Sequence, residues 1–190
     1  MGRIVLSMFV TADGFIAGPN GEFDTYEPST EEHEMANAFF HDADAIVFGR
    51  VCYQGFVEYW DALDVTSPTT PSPEADFATA FRNTPLVVVS RTLTDVVPRA
   101  RLIRDGIVSS IGALKQRWAG YAVLVCGPAL LATLMDAGLV DELRLLIKPS
   151  VQGHGLALFR DLRQHQQLTL LRTRAFASGT VLHHYRTEPR

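Results

Sequence analysis

The stretch Tyr121-Ala122-Val123-Leu124-Val125-Cys126-Gly127-Pro128-Ala129-Leu130-Leu131-Ala132-Thr133-Leu134-Met135-Asp136-Ala137-Gly138 decides the fold. Its first part, Tyr121–Val125, is apolar but too short for a helix, and reads as a buried strand. Cys126-Gly127 ends it. Pro128 then suits the first position of a helix, where its missing N–H would have had no partner anyway. Leu130, Leu131, Leu134 and Met135 recur on one face, and Gly138 supplies the stop. The unit is strand, tight turn, helix.

The same grammar runs outward in both directions. Ile4–Val10 is an apolar strand that opens into Asp13-Gly14 and Gly18-Pro19-Asn20-Gly21, loop chemistry because Gly and Asn accept positive φ at little cost. Ser29 or Thr30, ahead of Glu31, Glu32 and Glu34, starts a helix with the stripe Met35, Phe39 and Phe40. Ala45–Phe48 is a second buried strand; it breaks at Gly49-Arg50, and Tyr53, Phe56, Val57 and Trp60 follow at helical spacing, with Tyr53 and Trp60 read as core. Asp64–Glu74 holds three prolines and five hydroxyl residues and reads as loop. We expect it to be an active-site flap, since a domain boundary there would leave a piece of about sixty residues with too few strands to stand alone.

Further on, Glu74–Arg82 is a short helix, Leu86–Val89 a strand ending at Ser90-Arg91-Thr92, Ile107–Ser109 a weak strand and Ile111–Trp118 a helix. Leu143–Ile147 is a strand closed by Pro149. Gln167–Phe176 and Thr180–Arg186 flank Ala177-Ser178-Gly179 as an antiparallel hairpin. Strands solid with Val, Ile and Leu, most of them followed by a helix, imply a parallel sheet covered on both faces, and the hairpin makes it mixed. The expected fold is α/β: one domain over 1–190, three layers, with a mainly parallel central sheet.

Composition narrows the function. With 190 residues, 47% hydrophobic and 20% charged, the chain is globular in character. No run approaches the roughly 18 apolar residues of a membrane span, and Asp13 arrives before a signal-peptide pattern develops, so a soluble cytoplasmic protein is expected. Two cysteines, Cys52 and Cys126, suit neither a zinc knuckle nor a disulfide framework. The net charge of −4 argues against nucleic acid as partner. Charge is unevenly spread: from Ile4 to Gly49 there are nine acids and no Lys or Arg, whereas from Arg99 onward thirteen Lys and Arg face six acids. This describes either two differently solvated faces, or late elements that handle a polyanion while the early acidic segment serves a cationic or protonated group.

In open sheets of this type ligands sit beyond the carboxyl ends of the strands, here the loops Thr11–Gly18, Gly49–Cys52, Ser90–Thr92 and Gly127–Leu130. Three of them pass from strand to Gly or Ser and then to free backbone N–H groups, a natural anion site. Arg50 and Arg91 add forked donors for phosphate. Neither Gly-x-Gly-x-x-Gly after an early strand nor a P-loop is present. Gly153-His154-Gly155 reads only as loop. Cys52, near a helix start, is either a thiol of lowered pKa or a small buried side chain. His183-His184 in a terminal strand lacks a third metal ligand, and no metal site is expected.

Ser7-Met8-Phe9-Val10-Thr11-Ala12-Asp13-Gly14-Phe15-Ile16-Ala17-Gly18, Ile46-Val47-Phe48-Gly49-Arg50-Val51-Cys52-Tyr53 and Val88-Val89-Ser90-Arg91-Thr92 together resemble the dihydrofolate reductase superfamily. Val123-Leu124-Val125-Cys126-Gly127-Pro128-Ala129-Leu130, Leu139-Val140-Asp141-Glu142-Leu143 and Pro149-Ser150-Val151-Gln152-Gly153-His154-Gly155 continue the match in order. The likeness is to the reductase domain of bacterial riboflavin biosynthesis, the RibD C-terminal domain, as a stand-alone member. It implies a mixed central sheet flanked by helices, NADPH as cofactor, a small-molecule substrate and a homodimer. By position, it puts Thr11, Ala12 and Ile16 beside the nicotinamide, and Gly49, Arg50 and Val51 at the phosphates. Ser90, Arg91 and Thr92 would surround the adenosine ribose and its extra phosphate, and Gly127, Pro128, Ala129 and Leu130 would hold the pyrophosphate.

Two residues depart from the family pattern. Cys52 stands where Thr is usual, replacing a hydroxyl donor by a weak thiol, and Pro128 replaces a second Gly, removing one N–H. Together they are worth roughly 1–2 kcal/mol of cofactor binding. The expected activity is hydride transfer from NADPH to a pterin- or pyrimidine-like heterocycle or a related C=N or C=O compound. Asp13 is read either as the catalytic proton relay or as a cap on its own turn; Glu31, Glu32 and Glu34 are the other proton sources. The rival is a non-catalytic nucleotide binder or dimeric scaffold that keeps the fold. Arg91→Ala is expected to weaken NADPH about tenfold more than NADH, because only NADPH carries the additional phosphate; equal losses in parallel binding titrations would remove Arg91 from that role.

Overall fold

A computed structural model describes residues 1–22 and 28–188, so Asp24 and Glu27 of the acidic segment lie outside the described residues. In chain order the elements are β1 (Arg3–Thr11), β2 (Phe15–Ala17), α1 (Thr30–His41), β3 (Ala45–Gly49), α2 (Arg50–Trp60), α3 (Ser72–Asn83), β4 (Leu86–Val89), β5 (Ala100–Ile103), α4 (Ile107–Arg117), β6 (Tyr121–Val125), α5 (Pro128–Asp136), β7 (Glu142–Lys148), β8 (Leu156–Ala157), β9 (Leu168–Ala175) and β10 (Val181–Thr187). Among the described residues ten strands make two sheets. The large one has the order β5-β4-β3-β6-β1-β7-β10-β9, and β2 pairs with β8 separately.

Strands β1, β3, β4, β5, β6 and β7 are mutually parallel, and β10 runs antiparallel to β7 and β9. The parallel strands are buried almost throughout, as their unbroken apolar runs require. From β1 the chain steps through β3 to β4 in one direction, and from β5 through β6 to β7 in the other. With right-handed crossovers, α1 to α3 therefore cover one face and α4 and α5 the other. On the first face Phe40, Phe77, Phe81, Phe56 and Trp60 form an aromatic cluster over Phe48, with edge-on and tilted contacts and Phe77 stacked on Phe81. The α/β architecture is the one the sequence implies.

Three expectations need correction, and one strand was missed. The Pro-rich segment is no active-site flap, because it is anchored at both ends: just before it Arg82 donates to the Trp60 and Leu63 carbonyls and Arg99 to the Asp61 carboxylate, and within it the Pro73 carbonyl accepts from Asn37 of α1. Those arginines precede β4 and β5, so the segment is tied to the amino edge of the sheet, opposite the strand tips. Its last residues, Ser72 to Glu74, already belong to α3. Ile107–Ser109 is helix, not strand, because Ile107, Ile111, Leu114 and Lys115 keep helical spacing onto the core. The strand is instead β5, masked by its Arg101 and by Arg99 and Arg104 on either side of it.

At the amino edge Lys115, only 5% exposed, places Nζ 2.7 Å from Asp141 Oδ1 and 3.0 Å from the Leu139 carbonyl, while Asp141 Oδ2 accepts from the Ile4 N–H at 2.7 Å. Removing the carboxylate strands a buried ammonium. Asp141→Ala is expected to lower stability by about 3 kcal/mol in urea unfolding, with most of that regained in Lys115→Met/Asp141→Ala; a loss no smaller in the double variant would contradict this.

Candidate active site

The tips of β4, β3, β6 and β1 stand side by side on one edge, because these strands are neighbours and parallel. Helix α2 begins directly after Gly49 and α5 directly after Gly127. Neither glycine brings a side chain that caps the helix, so the first-turn N–H groups of both point outward. The two ends nearly touch: a Cβ on Gly49 would lie 3.9 Å from the Gly127 nitrogen, and the space at the Cβ position of Gly127 is open. Arg50 and Val51 are exposed on α2, and Arg50 reaches Gln54 at 3.1 Å. On α5, Pro128 is buried at the first position, Ala129 is exposed and Leu130 half-buried.

On the next strand, Ser90 is buried, and its Oγ accepts from the N–H groups of Thr92 and Leu93 at 3.2 and 3.1 Å. Ser90 thus builds the turn, and Arg91 and Thr92 stand exposed on it. The donor set therefore fits a phosphorylated ligand: two adjacent uncapped helix ends with the exposed arginines Arg50 and Arg91 beside them.

At the tip of β1, Thr11 is buried, with Oγ1 donating to Asp13 Oδ1 at 2.6 Å and accepting from the Phe15 N–H at 3.0 Å. The Ala12 N–H donates to the Ser150 carbonyl, and Ile16 is half-buried against the core. Asp13 also accepts from the N–H groups of Gln152 at 3.0 Å and Gly153 at 2.7 Å. The Thr11 hydroxyl and these amides hold its carboxyl down at about 2. Asp13 is accordingly a clamp between two loops, and it holds no proton near neutrality. The turn itself is capped by Thr11, whose Oγ1 accepts from the Phe15 N–H, so Asp13 ties two distant loops rather than capping its own turn. The clamped loop contains Gly155, where any Cβ would collide with the Ala17 carbonyl; the Gly-His-Gly stretch lets β8 close on β2.

Among the three acids of α1, Ser29 and Glu32 form a capping box, with Ser29 N and Oγ donating to Glu32 Oε2 at 2.8 and 2.5 Å. Glu31 pairs with Arg174, and Glu34 is exposed. Glu32 is fully buried and shares the sheet-facing stripe with Met35, Ala36, Phe39 and Phe40. Met35 packs, as Phe9 does, against the cluster of Leu146, Phe176 and Leu182, which puts Glu32, one turn earlier, toward the level of the β1 and β7 tips, Thr11 and Lys148. Lys148, 6% exposed and in register with Thr11, gave no signal in the sequence beyond ending a strand. Cys52 is buried and its thiol is pushed up to about 11, which removes the activated-thiol reading. A hollow of about 360 Å³ bordered by Asp136, Asp141, Gln166 and Glu188 lies at the opposite edge, away from these tips.

This order of strands and helices is that of a dihydrofolate reductase-like protein, and residues 3–182 match the RibD C-terminal domain family. The chain belongs to that family. It is 33% identical over 180 residues to the uncharacterized protein YyaP of Bacillus subtilis, covering 94% of this chain and 92% of that one. Among solved structures it is similar to RibD of Acinetobacter baumannii, with a TM-score of 0.68 at 14% identity over 100% of this chain and 59% of that one. It is also similar to a dihydrofolate reductase from Enterococcus faecalis complexed with NADP(H), with a TM-score of 0.65 at 12% identity over 98% and 97% of the two chains.

Because the folded-state pKa of Asp13 is depressed from 3.8, its contribution to stability is present above that value and is lost as pH falls through about 2. The urea midpoint of the parent protein is expected to fall more steeply between about pH 4 and 2 than that of Asp13→Ala, which should also speed hydrogen exchange at Gln152 and Gly153. Parallel pH profiles and unchanged exchange would contradict the clamp.

Proposed function

We propose that this protein is an NADPH-dependent reductase acting on a small pterin- or pyrimidine-like heterocycle or a related C=N or C=O compound. The observation that carries the reading is the pair of uncapped helix ends at Gly49 and Gly127, with exposed Arg91 one strand away. Arg50, Val51, Ala129 and Leu130 would hold the pyrophosphate with their backbone N–H groups, and Arg91 and Thr92 the ribose phosphate. When bound, NADPH supplies the hydride.

The chain's own task is orientation and the proton. Reducing a C=N bond takes one hydride at carbon and one proton at nitrogen. Glu32, buried at the level of the β1 and β7 tips, is the carboxyl we assign to that proton, and Thr11 and Asp13 hold the loop that borders the acceptor. The homodimer belongs to the same reading: β9 is an open edge strand exposed on both faces, with Leu170 and Leu171 outward, and such edges are usually covered. Pro128 favours one second reading, a binder without turnover, since it withholds one N–H from the phosphate cradle.

Loss of reduced-nicotinamide absorbance with a panel of pterins, pyrimidines and simple carbonyls is the test. Oxidation is expected with at least one acceptor, and Glu32→Gln should slow it about 100-fold with NADPH affinity unchanged. Saturable NADPH binding without oxidation across the panel would favour the binder, and absence of binding would end both readings.

A further inference from the structure

The sheet face beneath α1 is organised in rows, since side chains alternate along each strand and the strands are in register. Behind the tip row of Thr11 and Lys148 stand Phe9, Leu146 and Leu182, an apolar row under Met35. The next row is polar: Ser7 on β1, Arg144 on β7, His184 on β10 and Arg172 on β9. Arg144 lies flat against Phe39, its Cζ 3.8 Å from the ring centroid, and its Nε is buried without a hydrogen-bond partner.

The nearby carboxylates are already engaged. Glu142 gives Oε1 to Arg3 at 2.5 Å and Oε2 to His184 at 2.7 Å, and Glu31 pairs with Arg174. Among the described residues neither Arg144 nor Arg172 has an ion-pair partner. Burial lowers the pKa of the Arg144 guanidinium; the charge of Arg172 adds to the shift, and Tyr121 and Glu142 oppose it. A guanidinium desolvated beside a second one, with no anion of its own, is a poor structural device and a good receptor.

We infer that Ser7, Arg144, His184 and Arg172 form a second ligand site, which takes the phosphoryl or carboxylate group of a small molecule between α1 and the β7–β10–β9 face. The fork of Arg144 supplies paired donors under the Phe39 ring, Ser7 adds a hydroxyl, and exposed Arg172 closes the rim. The row lies four residues from Thr11 along β1, ~13 Å from the tips and behind the apolar row. The site is therefore independent of the dinucleotide reading and survives its failure.

The test titrates inorganic phosphate, and separately malonate, into the full chain at low ionic strength, by calorimetry and by the ¹⁵N–¹H signal of Arg144 Nε. Saturable binding of either anion is expected, with a shift of that signal, and Arg144→Gln and Arg172→Gln should each weaken it about tenfold. The anion preferred distinguishes a phosphoryl from a carboxylate ligand. Arg172 is exposed, so its variant keeps the test decisive if Arg144→Gln fails to fold. No saturable binding of either anion, or binding unchanged in Arg172→Gln, would overturn the site. An Nε signal that responds to protein dilution but not to anion would also overturn it, giving the row to a contact between two copies.

Discussion

Parallel hydrogen bonding between β3 and β6, from Ala45 beside Ala122 to Phe48 beside Val125, brings Gly49 and Gly127 to one point of the sheet edge. β3 passes directly into α2, and β6 reaches α5 across only Cys126 and Gly127, with the helices leaving on opposite faces. Two sets of orphan N–H groups therefore converge where no side chain satisfies them. A bulkier connection at either strand would separate the two ends. The rest of the candidate site is arranged around this convergence, with β4 adding Arg91 on one side and β1 adding the clamped loop on the other.

The two sides of the site are built differently. On the phosphate side the donors are mostly backbone and left open. On the acceptor side polar groups are tied down: Asp13 by a hydroxyl and two amides, Glu32 by its capping box. Burial on the sheet-facing stripe of α1 sets Glu32 apart from Asp13, which is open to solvent.

Much of this was legible in the sequence. Solid apolar runs ending at Gly49, Ser90 and Gly127 gave the parallel strands and their ligand-facing tips, and Ser29 ahead of Glu32 gave the start of α1. What stayed hidden was set by tertiary pairing. Strand β5 is four residues long with Arg101 inside it and Arg99 and Arg104 flanking it, and is held by β4 alone, and β2 and β8 are too short to show a period. The role of Asp13 depends on amides 139 and 140 residues away. The placement of the Pro-rich segment depends on Arg82 and Arg99 reaching back to it. Lys148 and Arg144 look like ordinary polar positions in β7, and only the register with β1 and β10 gives each its row.

The central claim is that the converging helix ends receive a phosphorylated nicotinamide carrier. An amide ¹⁵N–¹H titration with NADPH tests it most directly. Shifts confined to Gly49 through Val51, Arg91, Thr92, Gly127, Ala129 and Leu130 are predicted. Shifts absent there, or centred on the amino edge around Lys115 and Asp141, would contradict the account.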